Sequence, residues 1–112
     1  MVEITRTVVL RDERDGRDSR HLAVRLTADG DLRVDGLDIG PTTAELTGGD
    51  EYEWTTMVRA EHLAGLVALL GGDPGAGLLG LLAERYTGPS AYDLEQILSG
   101  GAVPIERSVW GG

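Results

Sequence analysis

At Ala60 the chain changes period. Before it, apolar residues alternate with polar ones; after it, they recur every three or four positions. Alternation puts apolar side chains on one face of a strand, and the longer period puts them on one stripe of a helix. Strands followed by helices read as an α+β fold, with the helices covering one sheet face. At 112 residues the chain can bury roughly two-thirds of its unfolded surface, enough for one core. Split in two, neither half would keep one, so residues 1–112 read as a single domain.

The strands are legible one by one. Val2, Ile4, Val8 and Leu10 alternate with Glu3, Thr5 and Thr7. Asp12 to Ser19 reads as a charged loop around Gly16. Leu22, Val24 and Leu26 make a second strand, and Asp29-Gly30 signals a hairpin because glycine accepts the positive φ of a tight turn. Leu32 and Val34 open a third strand. At Gly36 the alternation slips to Leu37 and Ile39, which predicts a bulge there. Gly40-Pro41 ends the strand, and residues 41–50 read as a loop. Glu51 to Val58 is a fourth strand, with Tyr52, Trp54, Thr56 and Val58 on one face and Glu51, Glu53, Thr55 and Met57 on the other.

Leu63, Leu66, Val67 and Leu70 then mark an amphipathic helix. Gly71-Gly72 stops it, and Asp73-Pro74 resembles an N-cap followed by a first-turn proline. Leu78, Leu79, Leu81, Leu82 and Tyr86 supply a second helix. Ser90 with Asp93 gives a capping-box-like start to a third, through Leu94, Ile97 and Leu98. Val103 to Trp110 closes the chain as a strand, with Pro104 placing it at an edge or strand start. The expected order is a four-stranded antiparallel meander, three short helices on one face and a C-terminal strand, β-β-β-β-α-α-α-β.

Charge narrows the function classes. The net charge is −9. Residues 1–33 balance seven Arg against seven Asp and Glu, so the whole imbalance falls on residues 34–112. A phosphate backbone is repelled by such a surface, which argues against direct nucleic-acid binding. A basic protein is attracted. The first residues lack the apolar stretch of a signal peptide, and Leu63–Leu82 is interrupted by glycines and Asp73-Pro74, so no membrane span is expected. A cytoplasmic location is the default expectation. Cysteine is absent, which excludes disulfides and thiolate metal sites. Lys, Asn and Phe are absent too, a bias that fits a GC-rich bacterial genome.

Chemistry-bearing motifs are weak. His21 and His62 read as ordinary surface or half-buried histidines, and no serine sits in a Gly-x-Ser-x-Gly elbow. Glu51 and Glu53 share a strand face about 7 Å apart by strand rise, but carboxylate pairs that cut glycosides come from different elements across a cleft. No segment carries the ligand spacing of a calcium loop or a zinc site. Gly71 to Gly77 is glycine-rich but lacks the Gly-Lys-Ser/Thr ending of a phosphate loop. No catalytic, cofactor or metal residue is expected.

One local feature stands out. No cation lies between Arg33 and Arg59, while Asp35, Asp38, Asp50, Glu51 and Glu53 crowd there beside Tyr52 and Trp54. The aromatics read as core anchors. The five acids read as a patch that steers a basic protein.

The pattern Leu32-x-Val34-x-Gly36-x-Asp38-x-Gly40, the run Asp50-Glu51-Tyr52-Glu53-Trp54, Val58-x-Ala60-Glu61-x-Leu63, Leu81-Leu82-Ala83-Glu84-Arg85-Tyr86 and Pro104-Ile105-Glu106 carry a resemblance. Over about residues 30–110 the chain resembles a group of small, uncharacterised, actinobacterial-looking single-domain proteins. That resemblance implies no activity. The best functional expectation is a non-enzymatic acidic module, an inhibitor or immunity-type protein for a basic partner. The alternatives are a small hydrolase with a carboxylate site between sheet and helices, and an oligomeric scaffold built through the last strand.

Overall fold

A computed structural model describes residues 7–47, 49, 51–72 and 77–111. The fold is α+β. Strands β1 (Thr7–Asp15), β2 (Asp18–Leu26), β3 (Leu32–Ile39), β4 (Glu51–Val58) and β5 (Glu106–Gly111) form one antiparallel sheet in sequential order. Helices α1 (Pro41–Thr47), α2 (Leu63–Leu69), α3 (Leu78–Arg85) and α4 (Ala91–Ser99) complete it, with 3₁₀ turns at Ala60–His62 and Gly88–Ser90. The C-terminal strand extends the meander, pairing with β4 from Tyr52↔Gly111 to Met57↔Glu106.

The core lies between the sheet and the last three helices. Leu22, Val24, Leu32, Val34 and Val58 supply its sheet side; Leu66, Leu82, Leu94 and Leu98 supply its helical side. The register follows from this burial. Moving a strand by one residue would turn all of these side chains to the other face.

The charged segment Asp12–Ser19, expected as a loop, is the end of β1, a two-residue turn and the start of β2. β1 and β2 run on through Arg14↔Ser19 and Asp15↔Asp18, and Gly16, at φ +61°, makes the turn. The bulge lies elsewhere than expected. Pairing of β3 is unbroken on both sides of Gly36, whereas β1 slips between Val9 and Arg11. The inward phase of β3 therefore continues from Leu32 and Val34 to Gly36 and Asp38. Gly36 is where that phase loses its side chain, because the indole of Trp54 lies over it and would overlap any Cβ.

Residues 41–47 are helical rather than loop. Pro41 occupies the first helical position, where its missing N–H costs nothing. The residue before it, Gly40, has no side chain to cap with and sits at φ +129°. The cap comes from β2. Asp18 accepts the Thr42 backbone N–H at 3.0 Å and the Thr42 hydroxyl at 2.8 Å.

Other expectations shift by a few residues. The last strand starts at Glu106, and Val103 is buried in the turn before it. Ser90 makes no capping bond, because it already belongs to the 3₁₀ turn and has helical dihedrals. Val2, Ile4 and the Asp73-Pro74 cap lie outside the described residues.

At the other end of the sheet, Arg59 ties β5 to the β2–β3 turn. Its guanidinium donates two bonds to Glu106, at 2.7 and 2.8 Å, and one to Asp31 at 3.0 Å. Asp31 also accepts the Ala60 N–H at 2.7 Å and so caps the first 3₁₀ turn.

Candidate functional site

The inward phase of the sheet is not wholly covered by helices. Near the ends of β3 and β4 a cleft of about 290 Å³ opens between the sheet and α4. Register explains its composition. Asp38 pairs across with Arg20 on β2 and with Tyr52 on β4, and Gly36 pairs with Trp54. These side chains point the same way, toward α4. From the helix come Ala91, Tyr92 and Glu95, spaced to lie on one face.

Two carboxyl groups face this cleft, and neither forms an ion pair among the described residues. Burial pushes Asp38 above its ordinary carboxylate range, with Arg20 and Arg11 offsetting part of the rise. Burial pushes Glu95 up as well; its bond from Trp54 and the charge of Arg107 oppose the rise, and Asp38 adds to it. The effect of Asp38 on Glu95 places the two acids within electrostatic reach of each other.

Aromatic rings wall the cleft. Trp54 donates its indole N–H to Glu95 Oε1 at 3.3 Å. Tyr52 lies against it with ring centroids 5.5 Å apart and planes tilted by 38°. Tyr92, on α4, is 60% exposed at the rim. Both Trp54 and Tyr52 are half-buried. Trp54 packs against the core cluster and also lines the cleft, so it does more than the core-anchor expectation allowed.

The cations stand further out. Arg20 and Arg107 line the cleft but are exposed. Arg11 is engaged by Glu13. Acids at half-buried positions and arginines at the rim give a site that is negative inside and positive at its mouth.

The five acids expected to form one patch do not share a face. Asp38 faces α4. Asp35, Glu51 and Glu53 lie on the opposite face, as their register with Thr55, Ile39 and Leu37 shows. Asp35 accepts bonds from Arg33 Nε at 2.9 Å and Thr55 Oγ1 at 2.8 Å. Asp50 lies outside the described residues. Glu95 went unread because a single acid in a helical pattern carries no signal of its own; only the fold brings it to Trp54.

His21 lies 3.7 Å from Asp12 and His62 3.9 Å from Glu61. Among the described residues no group of three His, Cys, Asp or Glu side chains is placed to hold a metal ion. Nor is any helix among them long and apolar enough to cross a membrane.

Compared with protein-family models, with curated proteins and with solved structures, the chain has no match.

Proposed function

We propose that the chain is a non-enzymatic binding domain that takes a basic side chain of a protein partner into the cleft between the sheet and α4. The observation that carries this reading is the placement of Asp38 and Glu95 in one aromatic-walled cleft, with no cation among the described residues bonded to either.

A guanidinium or ammonium entering there supplies the charge that both acids lack. It also meets the faces of Trp54 and Tyr52, and a cation over such a ring gains about 0.5–2 kcal/mol. The rim arginines Arg20 and Arg107 meet carbonyl or carboxylate groups that flank the basic residue. The surplus negative charge of the molecule, including Asp35, Glu51 and Glu53 on the other face, steers the basic partner inward during encounter. An inhibitor or immunity-type role fits such a domain, because masking one basic residue of a partner needs binding and no turnover.

The reading is tested by calorimetric titration with a short peptide carrying one arginine and with its citrulline counterpart. The arginine peptide binds saturably and the neutral isostere does not. Equal binding of the two, or none by either, refutes it.

The same two carboxyls favour one alternative, a small hydrolase using Asp38 and Glu95 as an acid–base pair. Burial raises the proton affinity of both, and neighbouring carboxyls with raised proton affinity are suited to such chemistry. Turnover of a peptide or glycoside by the purified chain, abolished by either Asp38→Asn or Glu95→Gln, would establish that reading instead.

A further inference from the structure

Aromatic side chains are scarce in this chain. It has two Trp, three Tyr and no Phe. Among the described residues the buried core is aliphatic, built from Leu, Val and Ala. Tyr52, Trp54 and Tyr92, three of the five aromatics, line the cleft between the sheet and α4. A large ring stabilises a fold most when it is buried in the core. Here the rings stand at a surface opening, and what they offer there is their faces.

Trp54 presents such a face. The atoms nearest the position that a Gly36 Cβ would take are Cε2, Cζ2 and Cη2, all on its six-membered ring. One face of the indole therefore rests on β3, which glycine at 36 allows, and the opposite face is left to the cleft. The indole N–H is already given to Glu95. What remains for a ligand is the π surface. Tyr52, at 5.5 Å and tilted by 38°, makes the second wall of a corner rather than an extension of the same plane. Tyr92 stands on α4 and is 60% exposed, so its ring is available to a group held in that corner.

The hydrogen-bonding groups decide which cation suits this corner. A guanidinium or a plain ammonium brings several N–H donors, and each needs an acceptor once it leaves water. Glu95 already accepts from Trp54, and the Arg11, Arg20 and Arg107 side chains add only donors. A quaternary ammonium has no N–H to satisfy. Its charge is spread over methyl groups, and aromatic faces recognise it. The net charge of −9 attracts a basic polypeptide, and trimethylated lysine is the form in which such a chain carries this group. We propose that the cleft is an aromatic cage for a trimethylated lysine of the partner, its methyl groups against Tyr52, Trp54 and Tyr92 and its charge beside Asp38 and Glu95. This rests on the cleft being the cation site proposed above, and it narrows what enters there.

Calorimetric titration with four forms of one basic peptide tests the proposal. The forms carry lysine, arginine, trimethyllysine, or an uncharged isostere in which a tert-butyl group replaces the trimethylammonium. The trimethyllysine peptide should bind at least about tenfold more tightly than each of the others. Tyr92→Ala, on the exposed side of α4, should weaken its binding at least about fivefold. Circular dichroism checks that the variant is folded.

Lysine or arginine peptides that bind as tightly as trimethyllysine overturn the proposal and leave the cleft a plain cation site. A carbon isostere that binds as tightly overturns it too, because the walls would then read apolar area and not charge. So does an affinity unmoved by Tyr92→Ala. Free choline binding as tightly as the peptide would overturn the assignment to a protein partner. Binding by none of the four peptides overturns both this proposal and the reading on which it rests.

Discussion

The indole N–H of Trp54 is bonded to the carboxylate of Glu95, and this one contact joins the sheet to α4 across the cleft. It holds a carboxyl group where burial disfavours its charge. Folding therefore raises the proton affinity of Glu95. Stability from such a group is fully present below its unfolded pKa and declines as pH rises through its folded pKa. Glu95→Gln keeps an acceptor for Trp54 and removes the charge. Its melting temperature should match wild type near pH 4 and exceed it at pH 7 by about 2–4 °C. Thermal melts across that range check this.

Gly36 is fixed by Trp54 rather than by a turn. Gly36→Ala places a methyl group inside the volume of the indole. The expected cost is about 2 kcal/mol, in the range for overpacking a filled site, measured by urea denaturation. Because the indole must move, its bond to Glu95 is lost as well. That bond favours the charged carboxylate, so the stabilisation by Glu95→Gln at pH 7 should grow in the Gly36→Ala background.

Asp18→Ala removes both bonds that start α1. The backbone N–H of Thr42, then its hydroxyl, hold the Asp18 carboxyl below its ordinary range. A lowered pKa gives stability that is present above the unfolded value and lost as pH falls through the folded one. The variant should melt a few degrees lower than wild type at pH 7, and the gap should close in acid below the usual carboxylate range. Hydrogen exchange should locate the loss in residues 41–47.

The strand and helix pattern was legible because local residues specify it. Glu51–Val58 alternates cleanly, and Leu63, Leu66, Val67 and Leu70 keep helical spacing. What was illegible depends on residues far apart in the chain. The helix at 41–47 has its cap 24 residues upstream, on Asp18. Gly36 resembled a bulge because the side chain that fills its place belongs to Trp54. A slip at Gly36 would turn Asp38 outward, whereas the unbroken pairing of β3 turns it toward α4. The site suffered most. Tyr52 and Trp54 were correctly placed on one face of β4, but Glu95 joins them only through tertiary packing.

Arg59 holds β5 in place through Glu106 and leans on buried Asp31. Arg59→Gln should loosen the edge of the sheet selectively. Amide exchange in β5 is expected to speed up about tenfold, while β2 and β3 keep their protection, as for a local opening rather than global unfolding. Hydrogen exchange followed by mass spectrometry resolves the two segments.

In the proposed binding mode the two acids of the cleft act together on a cation. The most direct test is the affinity of the arginine peptide for wild type and for the Asp38→Asn/Glu95→Gln variant, titrated from pH 8 downward. Losing the partner of a buried charge costs about 2–5 kcal/mol, so binding should weaken at least tenfold in the variant. Wild-type affinity should also begin to fall at a higher pH than an ordinary carboxylate would dictate, as Asp38 and Glu95 take up protons. An unchanged affinity in the folded variant, with no pH dependence in wild type, would contradict the account.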